Sequence, residues 1–444
     1  MMKDLQTKYN EKKMSPEDAI KFLSPGDAVV YPIAPGEPKL LHDALCQYEG
    51  LDDNKLYRTL TNVPTYDLPK DKLKQISIFL GGDRQLMNDG VVELLPNHFG
   101  DTVDLIKMRE EEIVLMFNAS PMDEKGYFSL GLANAYVGGL LDSASKIIIE
   151  VNENCPYTYG ENHHVHIDDV TALIESSEPL PTIPEPVIDE KSEAIGKIIA
   201  DLAPDGATLQ IGYGSVPSAV MNNLTTKKRL GFHTEMLPDK VIDLYNSGSL
   251  DNTQKETYVG KTVTTFAMGT PKLYEWLHKN EDIYFVPVNQ SNSIREIAKE
   301  GNLYTINATI QVDLLGQCNS EKLPNKYYSS TGGQSDFGKG VRMAENGVGI
   351  IALNSTAAND TVSTIVPSLY AGAAVTTSKN DVDYIVTEYG AARLKGKTIN
   401  ERVEALINIA HPRFRDELRQ EAIKLKYLAA ETDELEETEE LVLA

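Results

Sequence analysis

Residues 207–224 read ATLQIGYGSVPSAVMNNL. The stretch opens on a short apolar run, Ala207–Ile211, crosses two glycines and a proline, and enters a helical pattern at Ser218–Leu224. A buried strand handed by a glycine loop to a helix is the building unit of an α/β fold. The same order of features occurs earlier in the chain. Leu23-Ser24-Pro25 precedes one copy and Leu202-Ala203-Pro204 the other, 179 positions later. Without a gap, Ala28 then matches Ala207, Pro38 matches Pro217 and Leu45 matches Leu224, giving five identities over 23 positions. Two related α/β domains facing each other are the expectation.

Working outward, short runs rich in Val and Ile alternate with helical patterns. Asp27–Tyr31, Gln75–Leu80, Glu112–Phe117 and Lys146–Val151 read as strands in the first half. Ala207–Ile211, Asp282–Val288, Gly347–Leu353 and Asp383–Thr387 do so in the second. Lys39–Gln47, Ser192–Leu202 and Asn400–Leu406 read as helices. This alternation predicts mainly parallel sheets. The segment ESSEPLPTIPEPVIDE (175–190) carries four prolines, a density that neither helix nor central strand sustains, so it reads as a linker. It divides the chain into domains over 1–180 and 191–430, followed by an acidic tail, 431–444.

A chain of 444 residues exceeds what one core usually supports, which agrees with two domains. Lys and Arg number 42 against 66 Asp and Glu, a net charge of −24 that argues against a nucleic-acid partner. The three cysteines, Cys46, Cys155 and Cys318, lie far apart, which argues against a disulfide framework or a structural zinc site and makes the cytoplasm the expected compartment. The polar start lacks the apolar core of a signal peptide, and no run reaches the roughly 18 apolar residues of a membrane span.

Five segments carry candidate chemistry. In the loop Gly212-Tyr213-Gly214-Ser215-Val216, glycines admit a ligand to the backbone and the following helix offers free N–H groups. The same loop also reads as a tight strand-to-helix turn, and Pro217 stands where a dinucleotide fingerprint needs its third glycine. In LGFHTEM (230–236), Glu235 follows an apolar segment; a lone Glu reads as a solvated surface residue, but one confined by Gly231, Phe232 and Met236 and kept ionised by dipoles can serve as a nucleophile. Asn307 sits at a strand end, able to donate its amide to a ligand or to cap a turn. In SSTGGQSDF (329–337), Gly332 and Gly333 present bare backbone N–H groups suited to an oxyanion or, equally, to a flexible turn. Glu388 is a second carboxylate after a buried strand, read as an ion-paired structural residue. His163, His164 and His166 read as a solvated loop without a third ligand at metal spacing, and His233 as a structural neighbour of Glu235. No G-x-S-x-G occurs, so a serine-hydrolase elbow is unsupported.

Taken in order, LQIGYGSVPSAV (209–220), LGFHTEM (230–236), INATIQVDLLGQ (306–317) and STGGQSDF (330–337) resemble the acetyl-CoA hydrolase/transferase family. VTTSKNDVDYIVTEYGAARLKGK (375–397), INIAHPRFRDEL (407–418), EVNENCP (150–156) and PGEP (35–38) support the resemblance, which spans most of 15–420. The branch it looks like is that of the 4-hydroxybutyrate and butyryl-CoA:acetate CoA-transferases. The resemblance implies two similar α/β domains with the active site between them. It also implies that Glu235 is the catalytic glutamate and that Gly212, Tyr213, Gly214, Ser215 and Val216 form the CoA-binding loop. Ile310 and Gly333 match CoA-contacting positions, Asn307 and Gly332 line the same region, and a third contact segment aligns near Asn359. At Asn359 and Thr364, and at Ser378-Lys379, the sequence departs from the basic and Pro-Arg residues usual in relatives.

The implied activity is transfer of CoA between a short-chain acyl-CoA and a small carboxylate through a glutamyl-CoA thioester. Coenzyme A is then a substrate, no metal or tightly bound cofactor is needed, and a homodimer is common among similar proteins. Acyl-CoA hydrolysis at the same site is the near alternative, and a nucleotide-binding oxidoreductase the distant one.

Overall fold

The computed structural model describes residues 2–63 and 66–430; the acidic tail 431–444 lies outside the described residues. Two sheets organise the chain. The first runs, in spatial order, Ala172–Ser176, Lys146–Asn152, Ile113–Ala119, Ala28–Ile33, Asn54–Thr59, Leu73–Ser77 and Val92–Leu94. Every neighbouring pair in it is parallel. The second runs Gly231–Phe232, Thr208–Ile211, Leu303–Ala308, Val348–Ala352, Tyr384–Thr387 and Gly390–Arg393. It is parallel except for its last pair, an antiparallel hairpin.

The two sheets are related in topology. In each, the strand after the Leu-x-Pro segment lies inside the sheet and the next strand pairs on one side of it; later strands step away on the other side, except that in the first sheet Leu73–Ser77 and Val92–Leu94 extend the side of Asn54–Thr59. The faint repeat therefore marks two similar halves. Parallel sheets are covered on both faces, which explains unbroken apolar runs. Along Ala28–Ile33 and Ile113–Ala119 every residue is buried. Val30, Leu115 and Phe117 enter one core, while Val29, Val114 and Met116 enter another on the opposite face.

The predicted strands are present with shifted or trimmed ends, and Lys39–Gln47 is helical as read. Two departures have clear causes. The strand expected over 282–288 is only Ile283–Phe285, because Pro287 cannot extend the ladder and instead precedes the short helix Val288–Ser291. The helix after the glycine loop spans Ser215–Asn223, starting three residues early. Gly214, at φ +144°, makes the sharp entry, and Pro217 in the first turn needs no N–H partner.

Residues 177–189 form no helix or strand, as expected of a linker. They are nonetheless fastened to the second half. Tyr274 Oη donates to the Pro181 carbonyl at 2.6 Å and Tyr213 Oη to that of Pro184 at 2.7 Å. Asp189 then caps the helix Glu190–Leu202 by accepting from the Ser192 N–H at 2.7 Å. That helix packs on Ser215–Asn223 at Gly196, where a Cβ would meet the Ala219 methyl at 2.5 Å. A small parallel sheet crosses the linker: Tyr159–Gly160 pairs with Ile283–Phe285, which pairs with Thr262–Thr264.

The histidine segment is not a solvated loop. His163 is only 1% exposed, stacks on Phe285 with ring centroids 4.9 Å apart, and lies 2.7 Å from Thr158 Oγ1. Packing between strands, invisible in the local sequence, buries it. Among the described residues no group of three or more His, Cys, Asp or Glu is placed to hold a metal ion. None of their helices is long and apolar enough to cross a membrane.

Candidate active site

A cavity of about 390 Å³ opens at the carboxyl ends of the second sheet's strands. Gln210 and Asn307 stand at those ends, Gly212 and Tyr213 form one edge, and Gly332 and Gly333 another. Leu60 and Phe79 close it from the first half. Open α/β sheets bind ligands at this end, where loops diverge and backbone groups are free.

Glu235 lines the cavity. Its backbone is fixed by three donors to its carbonyl: Thr265 N–H at 3.0 Å, Phe266 N–H at 3.1 Å and Thr264 Oγ1 at 3.0 Å. Its carboxylate accepts from Asn292 Nδ2 at 2.8 Å, and the Gly333 N–H also favours its charged form. Burial is the larger effect, and with the nearby Asp336 carboxylate it pushes the Glu235 pKa up to about 7. Apolar walls supply that burial: Phe79, Met236, Phe266 and Phe337 surround the group.

The glycine pair is dictated by geometry. A Cβ at Gly333 would overlap Glu235 Oε2 and Asn292 Nδ2. Gly332 has φ +56° and would place a Cβ 3.1 Å from Phe79 Cε2. The helix Gln334–Met343 starts directly after them, so its N-terminal end faces the carboxylate.

Asn307 is occupied differently from a free ligand donor. Its Nδ2 donates to Gln210 Oε1 at 3.0 Å across neighbouring strands. Ser215, Val216 and Ile310 line an adjoining trough of about 490 Å³, which meets the first cavity at Ala308 and Ser320. Gly214 shapes the turn between the two. Asn359 lies further out, in a depression that shares Asn354, Thr356 and Ala357 with the trough. There Ala358, Asn359 and Asp360 take consecutive left-handed backbone angles of +50°, +55° and +63°. Lys191 bonds Thr356 Oγ1 at 2.9 Å and pairs with Asp360 at this rim.

Glu388 is structural, accepting from the Ser355 N–H at 2.9 Å and Oγ at 2.7 Å. His233 is buried, its Nε2 is 2.9 Å from the Ser291 carbonyl, and burial lowers its pKa to about 3. It holds the turn that carries Asn292. Asn292 and Lys191 escaped the sequence reading, because an isolated polar residue in NQSNS or at a helix start has no local signature.

Two family models match the chain. The acetyl-CoA hydrolase/transferase N-terminal domain matches residues 1–184 and the C-terminal domain matches 269–422. The chain is 42% identical to the succinyl-CoA:cyclohexane-1-carboxylate CoA transferase of Geobacter metallireducens, over 95% of this chain and 97% of that protein. This protein belongs to the acetyl-CoA hydrolase/transferase family. It is also 40% identical to the 4-hydroxybutyrate coenzyme A transferase of Clostridium kluyveri, over 93% of this chain and 97% of that one. Among solved structures, the 4-hydroxybutyrate CoA-transferase of Porphyromonas gingivalis superposes with a TM-score of 0.79 at 31% identity, over 95% of this chain and 99% of that chain. Within this family member the cavity, the trough and the outer depression form one path from Glu235 to Lys191.

Proposed function

We propose that this family member transfers CoA between a short-chain acyl-CoA and a free carboxylate, with Glu235 as the nucleophile. The observation that carries the reading is a half-buried carboxylate, held by an amide and a backbone N–H, in a cavity that adjoins a trough lined by Ser215, Val216 and Ile310. Glu235 attacks the thioester carbonyl, the C–S bond breaks, and CoA leaves as its thiolate. The thiolate attacks the glutamyl carbonyl of the resulting anhydride, and the carboxylate product departs. A glutamyl-CoA thioester remains. An incoming carboxylate reverses both steps and leaves as its CoA ester.

Each tetrahedral intermediate places an oxyanion near the Gly332-Gly333 backbone, and one such donor is worth about 3 kcal/mol in comparable sites. In this reading transfer prevails over hydrolysis where the bound acyl and thiol groups fill the cavity and displace water from the anhydride. In this reading Ser215, Val216 and Ile310 hold the pantetheine arm. Lys191 supplies, beside Asn359, the positive charge missing at that segment. By likeness to the family, the working form is a cytoplasmic homodimer divided into domains over 1–180 and 191–430.

Mass spectrometry after incubation with acetyl-CoA alone tests the mechanism. A CoA adduct on the Glu235 peptide, lost in Glu235→Ala, is expected. Full activity in Glu235→Ala without any adduct would sink it. Steady release of free CoA without an acceptor would show hydrolysis instead. Propionate, butyrate, succinate and 4-hydroxybutyrate, added in turn, identify the acceptor.

A further inference from the structure

Behind Glu235 lies a second carboxylate. Asp336, in the first turn of Gln334–Met343, is 1% exposed. Its Oδ2 accepts from the Gly100 N–H at 3.0 Å and lies 3.5 Å from Asn292 Nδ2, the atom that also donates to Glu235. One amide nitrogen thus stands between two carboxylates. Its orientation is fixed, since Asn292 Oδ1 accepts from Ser291 Oγ at 2.8 Å.

The other oxygen of Asp336 meets the first half of the chain. His98 Nδ1 is 2.9 Å from Oδ1, and His98 Nε2 is 3.1 Å from Lys339 Nζ. A lysine ammonium only donates, so in the neutral ring Nε2 carries the lone pair and the proton sits on Nδ1. In the imidazolium Nδ1 is protonated as well. In both states His98 Nδ1 therefore carries a proton beside Asp336 Oδ1, an ion-pair contact at 2.9 Å rather than an aligned hydrogen bond.

We propose that His98 is a positioning residue for the nucleophile: reaching across from the first half, it anchors Asp336 and so leaves the Asn292 amide free to serve Glu235. This rests on the transferase reading. The charged groups facing His98 are Asp336, Lys339 and Asp101, and the one facing Glu235 is Asp336. Without the imidazole, Asp336 competes for the Asn292 amide and its charge weighs more on Glu235. The nucleophile then keeps its proton to higher pH.

Single-turnover formation of the glutamyl-CoA adduct, followed from pH 5.5 to 9, tests this. For His98→Ala, the acid limb is expected to move upward, with a rate loss of about tenfold or more at pH 6 that shrinks at pH 8.5. Asp336→Asn should move the limb downward, and adding His98→Ala to it should change the limb no further. His98→Gln, which keeps a donor, should restore most of the wild-type profile. A loss of equal factor at every pH, or an unmoved limb in a folded His98→Ala protein, overturns the proposal. An adduct that never forms in the wild type at any pH overturns the transferase reading itself.

Discussion

Asn292 Nδ2 stands 2.8 Å from Glu235 Oε2, on a different loop and 57 positions further along the chain. The amide favours the charged carboxylate, while burial and Asp336 oppose it, and the opposing pair prevails. A carboxylate poised near neutrality is a stronger nucleophile than a solvated one, and its ionisation governs both rate and stability.

The stability consequence can be measured directly. A folded-state pKa raised from 4.5 to about 7 means that the native protein binds more protons than the unfolded chain between those values. Its contribution is fully present below pH 4.5 and is lost as pH rises through 7. Glu235→Gln mimics the protonated form. It should therefore match the wild type near pH 4.5 and exceed it above pH 7, by roughly 1–3 kcal/mol, while losing adduct formation. Urea unfolding at the two pH values is the check.

At Gly333 a methyl group has no room. Gly333→Ala forces the new Cβ against Glu235 Oε2 and Asn292 Nδ2. Adduct formation should fall about 100-fold or more, the size of a lost oxyanion donor. The melting temperature should fall as well, reflecting the roughly 1–3 kcal/mol cost of an overpacked site, so the rate is compared on folded protein. Rapid-quench acylation by acetyl-CoA gives the rate.

The outer end of the path makes a different demand. Lys191 is partly exposed and paired with Asp360, and an exposed pair of this kind adds about 0–1 kcal/mol to stability. Lys191→Ala should leave the melting temperature unchanged. It should raise KM for acyl-CoA several-fold at low salt, with kcat retained. An unchanged KM would remove this residue from the CoA path.

Legibility in the sequence followed range. The strand–loop–helix unit at 207–224 and its partner at 28–45 were readable because burial on both faces writes continuous Val and Ile runs, and turns require Gly and Pro. Glu235 and Gly333 were readable because each lies in a compact segment resembling one family. Asn292, Asp336 and His98 are brought to Glu235 only by tertiary folding. Nothing in NQSNS or PNHFG distinguishes a residue that will meet a glutamate from one that will meet water. The buried His163 was missed for the same reason.

Gly196 tests the packing that aims the glycine loop. The helices Glu190–Leu202 and Ser215–Asn223 touch here, and an added methyl carbon would lie 2.5–2.7 Å from Ala219 atoms. Gly196→Ala should push the helices apart and cost about 1–3 kcal/mol, as overpacking does. Thermal unfolding measures the loss, and KM for acyl-CoA should rise with it, since Ser215 and Val216 move with the second helix.

The small sheet joining Tyr159–Gly160 to Ile283–Phe285 has a consequence for how the chain behaves when cut. Residues before the linker supply an edge strand to the segment after it. A protease that cleaves at the exposed prolines of 177–189 would thus leave a nicked protein whose two fragments stay together. Expressed apart, each fragment would expose an unpaired strand edge, and the cavity at Glu235 would lose Leu60 and Phe79. The halves resemble each other in sequence and in sheet, yet this strand exchange ties the stability of one to the other.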